Sequence, residues 1–312
     1  MSQILPTRKP PVRLSLAPVS YFWARDTLFD FYDRVSDSPV DIVYLGETIC
    51  SKRRSFSRED WLQVADKLEA AGKQVVLSTL SLVEAASELG AMQSTCDNTR
   101  YMVEANDMAA VQMLAARFKS GMIEAYVGGP SLNIYNSRSL DKLASLGLRR
   151  WIMPVEHSAA VLDEFEIPDG VETEVFAWGK LPLAYSARCY TARTHNTPKD
   201  DCELRCLDYP DGLMLSTREQ QSFLVLNGIQ TQSALTHTLI HEPKHPKVDI
   251  FRISPQSRHT EKIIHLFRDC LNADIEPEKA AQQLEKYAPF GTSNGYWHGE
   301  PGMLTSDAYS IK

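Results

Sequence analysis

No part of this sequence approaches the run of about 18 apolar residues that crosses a bilayer. Its opening residues, MSQILPTRKPPVRLSLAP, carry basic side chains but no continuous apolar stretch behind them, so no secretory signal is expected there. A cytoplasmic location and no membrane span are therefore expected. Cysteine is scarce, at six in 312 residues, and disulfides are rare in that compartment. Neither G-x-G-x-x-G nor G-x-x-x-x-G-K occurs, which leaves the dinucleotide fold and the phosphate loop of NTPases without support. G-x-S-x-G is missing too, and no cysteine has the local signature of a protease nucleophile. Positive charge is not in excess. A net charge of −7 disfavours broad binding to nucleic acid. The basic run Lys52-Arg53-Arg54 is short and reads as a solvated loop.

What is present is an ordinary globular composition, 43% hydrophobic and 23% charged. The length exceeds the usual single core but is within reach of one large barrel with an appendage. Short apolar runs at 13–19, 41–47, 74–80, 100–106, 123–129, 149–155, 172–178, 181–187, 222–228 and 248–254 predict strands. Several lack strict alternation, which suits strands buried on both faces. Helical patterns fall at 57–71, 106–119, 138–146, 157–165, 231–242, 256–272 and 276–288. The first puts Trp61, Val64, Ala65 and Leu68 on one stripe, with Ser57 and Asp60 in capping-box order. The second is expected to start at a capping Asn106. Strand alternating with helix implies parallel βαβ units. About eight of them predict an α/β fold, a (β/α)8 TIM-like barrel with room for distortion. The chain 1–312 is expected to be one domain, with the barrel core at about 13–272. A C-terminal helix and tail, 273–312, should wrap the barrel as an ordered loop.

Active sites of such barrels lie at the C-terminal ends of the strands. Cys50 follows the second strand in YLGETIC, and Cys189 follows a later one in LAYSARC. Cys202 and Cys206 return in the loop that Cys189 opens, giving C-x12-C-x3-C plus one distant cysteine. Four thiolates brought together repel one another and stay ionised only if a cation shares them. Spacing alone leaves three alternatives open: an iron–sulfur cluster, zinc without its usual C-x2-C knuckle, or unrelated thiols. Cys96 sits before a strand, on the opposite face, and Cys270 lies in a helix; both read as structural. His237 and His241 are spaced i, i+4 on an expected helix, where a solvated face outweighs a metal site. Glu104, Asn106 and Asp107 stand at a strand end and could line a pocket, though a helix cap explains the last two. GGPSLNIYN, 128–136, is a candidate substrate-facing loop or a glycine-requiring turn.

The segment LAYSARCYTARTHNTPKDDCELRC resembles the cysteine segment of the collagenase-like peptidase U32 family, in its UbiV branch. The agreement extends to DIVYLGETICSKRR, VFAWGKLPLAYSARC, FLVLNGIQTQSA, DIFRISPQ and NGYWHGEPGM, covering about 13 to 305. The resemblance implies a [4Fe-4S] cluster on Cys50, Cys189, Cys202 and Cys206. It also implies a heterodimer with a UbiU-like homologue, a UbiT-like lipid-carrier partner, and a ubiquinone precursor as substrate. The implied role is hydroxylation in ubiquinone biosynthesis without dioxygen, with prephenate as a suspected oxygen source. Protease activity is not implied, despite the family name. The rival expectations are a structural zinc-binding barrel subunit, an RNA-hydroxylation protein and a peptidase.

Overall fold

The computed structural model describes residues 11–219, 222–242 and 244–306. Its elements begin with β1 (Arg13–Leu16), α1 (Arg25–Ser36), β2 (Ile42–Leu45), α2 (Arg58–Ala70), β3 (Gln74–Ser78), α3 (Ala86–Cys96), β4 (Met102–Ala105) and α4 (Met108–Lys119). They continue with β5 (Tyr126–Gly128), α5 (Ser137–Ala144), β6 (Leu148–Ile152), α6 (Ala159–Glu164) and the long β7 (Glu172–Tyr185). Then come α7 (Tyr190–Thr194), β8 (Leu213–Ser216), β9 (Ser222–Asn227), β10 (Gln230–Thr238), β11 (Ile250–Ile253), α8 (Thr260–Leu271), α9 (Pro277–Leu284) and β12 (Thr292–Ser293). Strands β1 to β7 pair in parallel in sequence order, and β11 pairs in parallel with both β7 and β1. That double pairing closes an eight-stranded barrel inside a ring of helices, the expected (β/α)8 architecture.

Side-chain alternation explains why this sequence closes. Leu14, Leu16, Val43, Leu45, Val75, Leu77, Val103 and Phe251 face outward into the helix layer. Their strand neighbours Ile42, Tyr44, Val76, Val127, Ile152 and Ile250 fill the lumen. Among these apolar residues the lumen also holds charge. Arg252 donates to Glu104 and Glu174, each at 2.9 Å, and Glu174 also accepts from Ser15 at 2.7 Å and Tyr44 at 2.5 Å. Burial works against the Arg252 charge, and the two carboxylates overcome it, holding its pKa above the ordinary value.

The barrel has an antiparallel wing. β7 runs past the barrel rim and pairs with β10, which pairs with β9, which pairs with β8. The two strands expected at 172–178 and 181–187 are thus one strand, continuous through Gly179. Its φ is +133, and a Cβ there would meet the Ser254 Cβ at 2.5 Å. The helix expected at 231–242 is instead strand β10. Polar residues on both of its faces are buried, Gln230, Thr231 and Gln232 in succession among them. Tyr21 donates to Gln232 at 2.9 Å, Gln232 to Gln230 at 2.8 Å, and Gln230 to Tyr185 at 2.7 Å. His237 and His241 therefore share no helix face: His237 is buried on β10, and His241 lies in the turn beyond it.

The capping box of α2 forms as expected between Ser57 and Asp60. α4 is capped by Asp107, which accepts from the Ala109 amide at 2.7 Å, and not by Asn106. Helices α1 and α3 were not among the expected segments. No helix among the described residues is long and apolar enough to cross a membrane. In the tail, β12 pairs with β10, and Trp297 is buried beyond it. Residues 1–10 and 307–312 of the expected domain lie outside the described residues.

His237 gives the fold a pH dependence. It is 4% exposed, and burial lowers its imidazole pKa from 6.5 to about 4. The unfolded chain takes up this proton at higher pH than the folded one, so stability is complete above about pH 6.5 and falls on acidification toward pH 4. The expected loss is about 3 kcal/mol across that window. Urea unfolding at a series of pH values checks it, and His237→Gln should flatten most of the slope.

Candidate functional site

The thiols gather at the C-terminal mouth of the barrel. Cys50 lies in the loop after β2, and Cys189 lies just past the end of β7, where its sulfur accepts from the Ala192 amide at 3.4 Å and caps the short α7. Ile49, Cys189, Ala192 and Ile229 form a small apolar cluster, and Cys50, Cys202 and Leu82 pack against it. Between Cys202 and Cys206 the chain passes through two consecutive left-handed residues, Glu203 (φ 49) and Leu204 (φ 55), which turn it sharply. Cys206 lies within electrostatic range of Cys189 and Cys202. All four expected ligands thus share one neighbourhood. Cys96 and Cys270 do not: both are buried in the core between strands and helices.

Cross-links hold the two cysteine segments together. The Lys52 ammonium donates to the Lys199 carbonyl at 2.9 Å and to Asp200 at 2.8 Å, and Lys199 donates to Glu84 at 2.5 Å. The tight turn at Gly228 accepts from the Tyr190 amide at 2.7 Å, so the β9–β10 hairpin supports the start of α7.

Arg53 corrects the sequence expectation. The residue is 4% exposed and belongs to no solvated loop. Nη1 donates to the Ser20 carbonyl at 2.6 Å and Nη2 to Asn227 Oδ1 at 2.8 Å. Gly228 leaves the room it needs, since a Cβ there would come within 2.8 Å of Nη2. Glu47 stands 4.0 Å away, and its carboxylate accepts from the Ile49 and Cys50 amides. Burial works against the Arg53 charge; Glu47, Cys206 and Cys50 more than restore it. In turn burial pushes the Cys50 and Cys206 thiols up, and Arg53 pulls both down. No sequence pattern separates a buried arginine from the two exposed-looking basic residues beside it.

Next to the thiols a cavity opens into the barrel. It offers water centres about 70 Å³ of room, several times the 10–15 Å³ that one water needs. Ile49 and Gln230 border it on the thiol side, and Glu104, Asn106 and Arg252 belong to its lining. Asn106 is thus a cavity residue: its amide donates to Thr79 O at 3.2 Å and to Glu104 Oε2 at 3.1 Å. Gly129 fits against it without a side chain, as a Cβ would meet Asn106 Oδ1 at 2.1 Å. Pro130 and Ser131 also line the cavity, so the segment 128–136 is both a glycine-requiring turn and a cavity wall. Lys180, from β7, lines it too and donates to the Asp211 carbonyl at 2.9 Å; burial lowers its pKa, with Asp211 opposing.

The donor set suits an anionic sulfur-rich group: four thiols, a buried guanidinium and the Ala192 amide. Arg53 Nε adds an orphan, being buried with no hydrogen-bond partner among the described residues. No three Cys, His, Asp or Glu side chains among the described residues are arranged to hold a single metal ion.

Comparison with solved structures finds the U32 peptidase Mk0906 at 11% identity, TM-score 0.45, covering 82% of this chain and 98% of that one. The spore coat polysaccharide biosynthesis protein spsE of Bacillus subtilis matches at 9% identity, TM-score 0.37, over 96% of this chain and 76% of that one. An O-GlcNAc hydrolase of Thermobaculum terrenum matches at 11% identity, TM-score 0.36, over 88% and 63%. The family model of peptidase family U32 matches residues 31–307, a span that includes all four clustered cysteines and most of the cavity lining, and the chain belongs to that family.

Proposed function

We propose that Cys50, Cys189, Cys202 and Cys206 hold a [4Fe-4S] cluster, and that the protein is the iron–sulfur subunit of an assembly for hydroxylation without dioxygen in ubiquinone biosynthesis. The observation that carries this is the convergence of the four thiols, from two distant segments, beside a buried arginine with an unused donor. Its specific biological role comes from the UbiV-branch resemblance, which covers nearly the whole chain. That resemblance supplies a UbiU-like homologue as partner, a UbiT-like lipid carrier, a ubiquinone precursor as substrate and prephenate as a suspected oxygen source.

When bound, such a cluster supplies one-electron transfer. Four protein thiolates leave no iron open to substrate, so the chemistry at the substrate belongs to the neighbouring cavity. There the chain's own groups bind and orient: Arg252 and Glu104 hold a fixed polar floor, and the Gln232–Gln230–Tyr185 series, backed by Tyr21, forms a polar wall. Protein purified without air should be brown and contain iron and acid-labile sulfide near four atoms of each per chain, the stoichiometry of the cluster. A colourless protein with stoichiometric zinc overturns the assignment in favour of a structural zinc barrel.

A further inference from the structure

We propose that Arg53 is the fixed counter-charge of the thiol cage, and that it donates its Nε–H to the sulfur-rich group held there and so sets that group's reduction potential. The inference rests on the iron–sulfur assignment above. It goes beyond the four ligands to a positioning residue that carries charge.

The guanidinium is pinned. Its two Nη atoms are engaged by Ser20 O and Asn227 Oδ1, both neutral acceptors, which fix its plane without cancelling its charge. That leaves Nε, buried and unpartnered among the described residues. A buried donor left without an acceptor is costly, and the guanidinium already lies within hydrogen-bonding influence of the Cys206 sulfur, which is the acceptor beside it. Glu47 offsets the charge only in part: it is 4.0 Å away and engaged with two backbone amides. The nearby lysines are committed elsewhere, Lys52 to Asp200 and Lys199 to Glu84. Gly228 and Asn227, at the β9–β10 turn, hold the arginine from the far side.

Hydrogen bonds to the sulfurs and local net charge are among the determinants of an iron–sulfur potential. A buried cation favours the reduced, more negative state, so its removal should move the potential downward. The test compares anaerobic wild type with Arg53→Met and Arg53→Lys, reading iron and sulfide content and an EPR-monitored redox titration. Arg53→Met should be harder to reduce than wild type. Arg53→Lys keeps the charge, loses the Nε donor and should fall between them, and it keeps the test informative if Arg53→Met does not fold. An arginine that only fills space would leave the potential unmoved. An iron-loaded wild type whose potential is matched by every variant that folds overturns the role of Arg53 alone. A wild type without iron and sulfide overturns the iron–sulfur assignment and this inference together.

Discussion

Cys202→Ala protein, prepared without air, is expected to lose most of its iron and acid-labile sulfide, and Cys50→Ala, Cys189→Ala and Cys206→Ala are expected to do the same. Cys96→Ala and Cys270→Ala should keep full occupancy. The contrast follows from placement. The first four thiols share the barrel mouth, whereas Cys96 and Cys270 are core residues. Under the proposed assignment, removing one cysteine also loosens the loop, because Cys189 belongs to the small apolar cluster there and Cys50 and Cys202 pack against it. Cys202 and Cys206 sit in short turns whose other contacts are few and partly exposed, such as the Tyr209 hydroxyl on His195 at 3.1 Å. Proteolysis of the 190–210 segment should therefore speed up in the four ligand variants and not in the two core variants. Iron and sulfide analysis beside limited proteolysis checks both parts. Full iron retained by Cys202→Ala refutes its place in the ligand set.

The second large effect lies in the lumen. Arg252→Met should destabilise the barrel by about 3–5 kcal/mol, because it leaves two buried carboxylates without their shared cation. Glu104 keeps a neutral partner in Asn106, and Glu174 keeps Ser15 and Tyr44, with Arg150 as a cation 4.0 Å away that does not reach Glu104 by any hydrogen bond. The Tyr44 ring also loses the guanidinium stacked 4.2 Å from its centre. Coupling gives a sharper check than the single variant. Glu174→Gln should cost much less in the Arg252→Met background than in wild type, since the pair it would break is already gone. Urea midpoints for the four proteins of this cycle measure the difference. Additive losses would show that the three charges do not act as a unit.

Much of the barrel is legible in the sequence because its strands are short apolar runs separated by capped helices, and Ser57 with Asp60 announces α2 directly. The failures have physical causes. β10 resembles a helix because burial of its polar residues breaks the rule that polar means exposed; Gln230 and Gln232 are satisfied by tyrosines from Tyr21 and Tyr185, far away in sequence. Asn106 looks like a cap because Asn and Asp are both good caps, and only the fold decides that Asp107 takes that place while Asn106 turns to Glu104. That Cys50 and Cys189 emerge on one barrel face was legible from their positions after strands. Arg53 was not, since its burial depends on Gly228 and Asn227, which come roughly 170 positions later and must first be folded against it.

That dependence bears on assembly. Cys50 and Cys189 are separated by roughly 140 positions, and closing so long a loop costs about 2 kcal/mol more than closing the short one between Cys189 and Cys202. Most of the barrel must form before the cage has its fourth wall. Under the proposed cluster assignment, loading acts as a checkpoint: an unfolded chain offers three sulfurs in one stretch, and only a chain whose early and late halves have met offers all four. On that assignment, iron content would report the integrity of the whole fold, including parts that never touch the cluster.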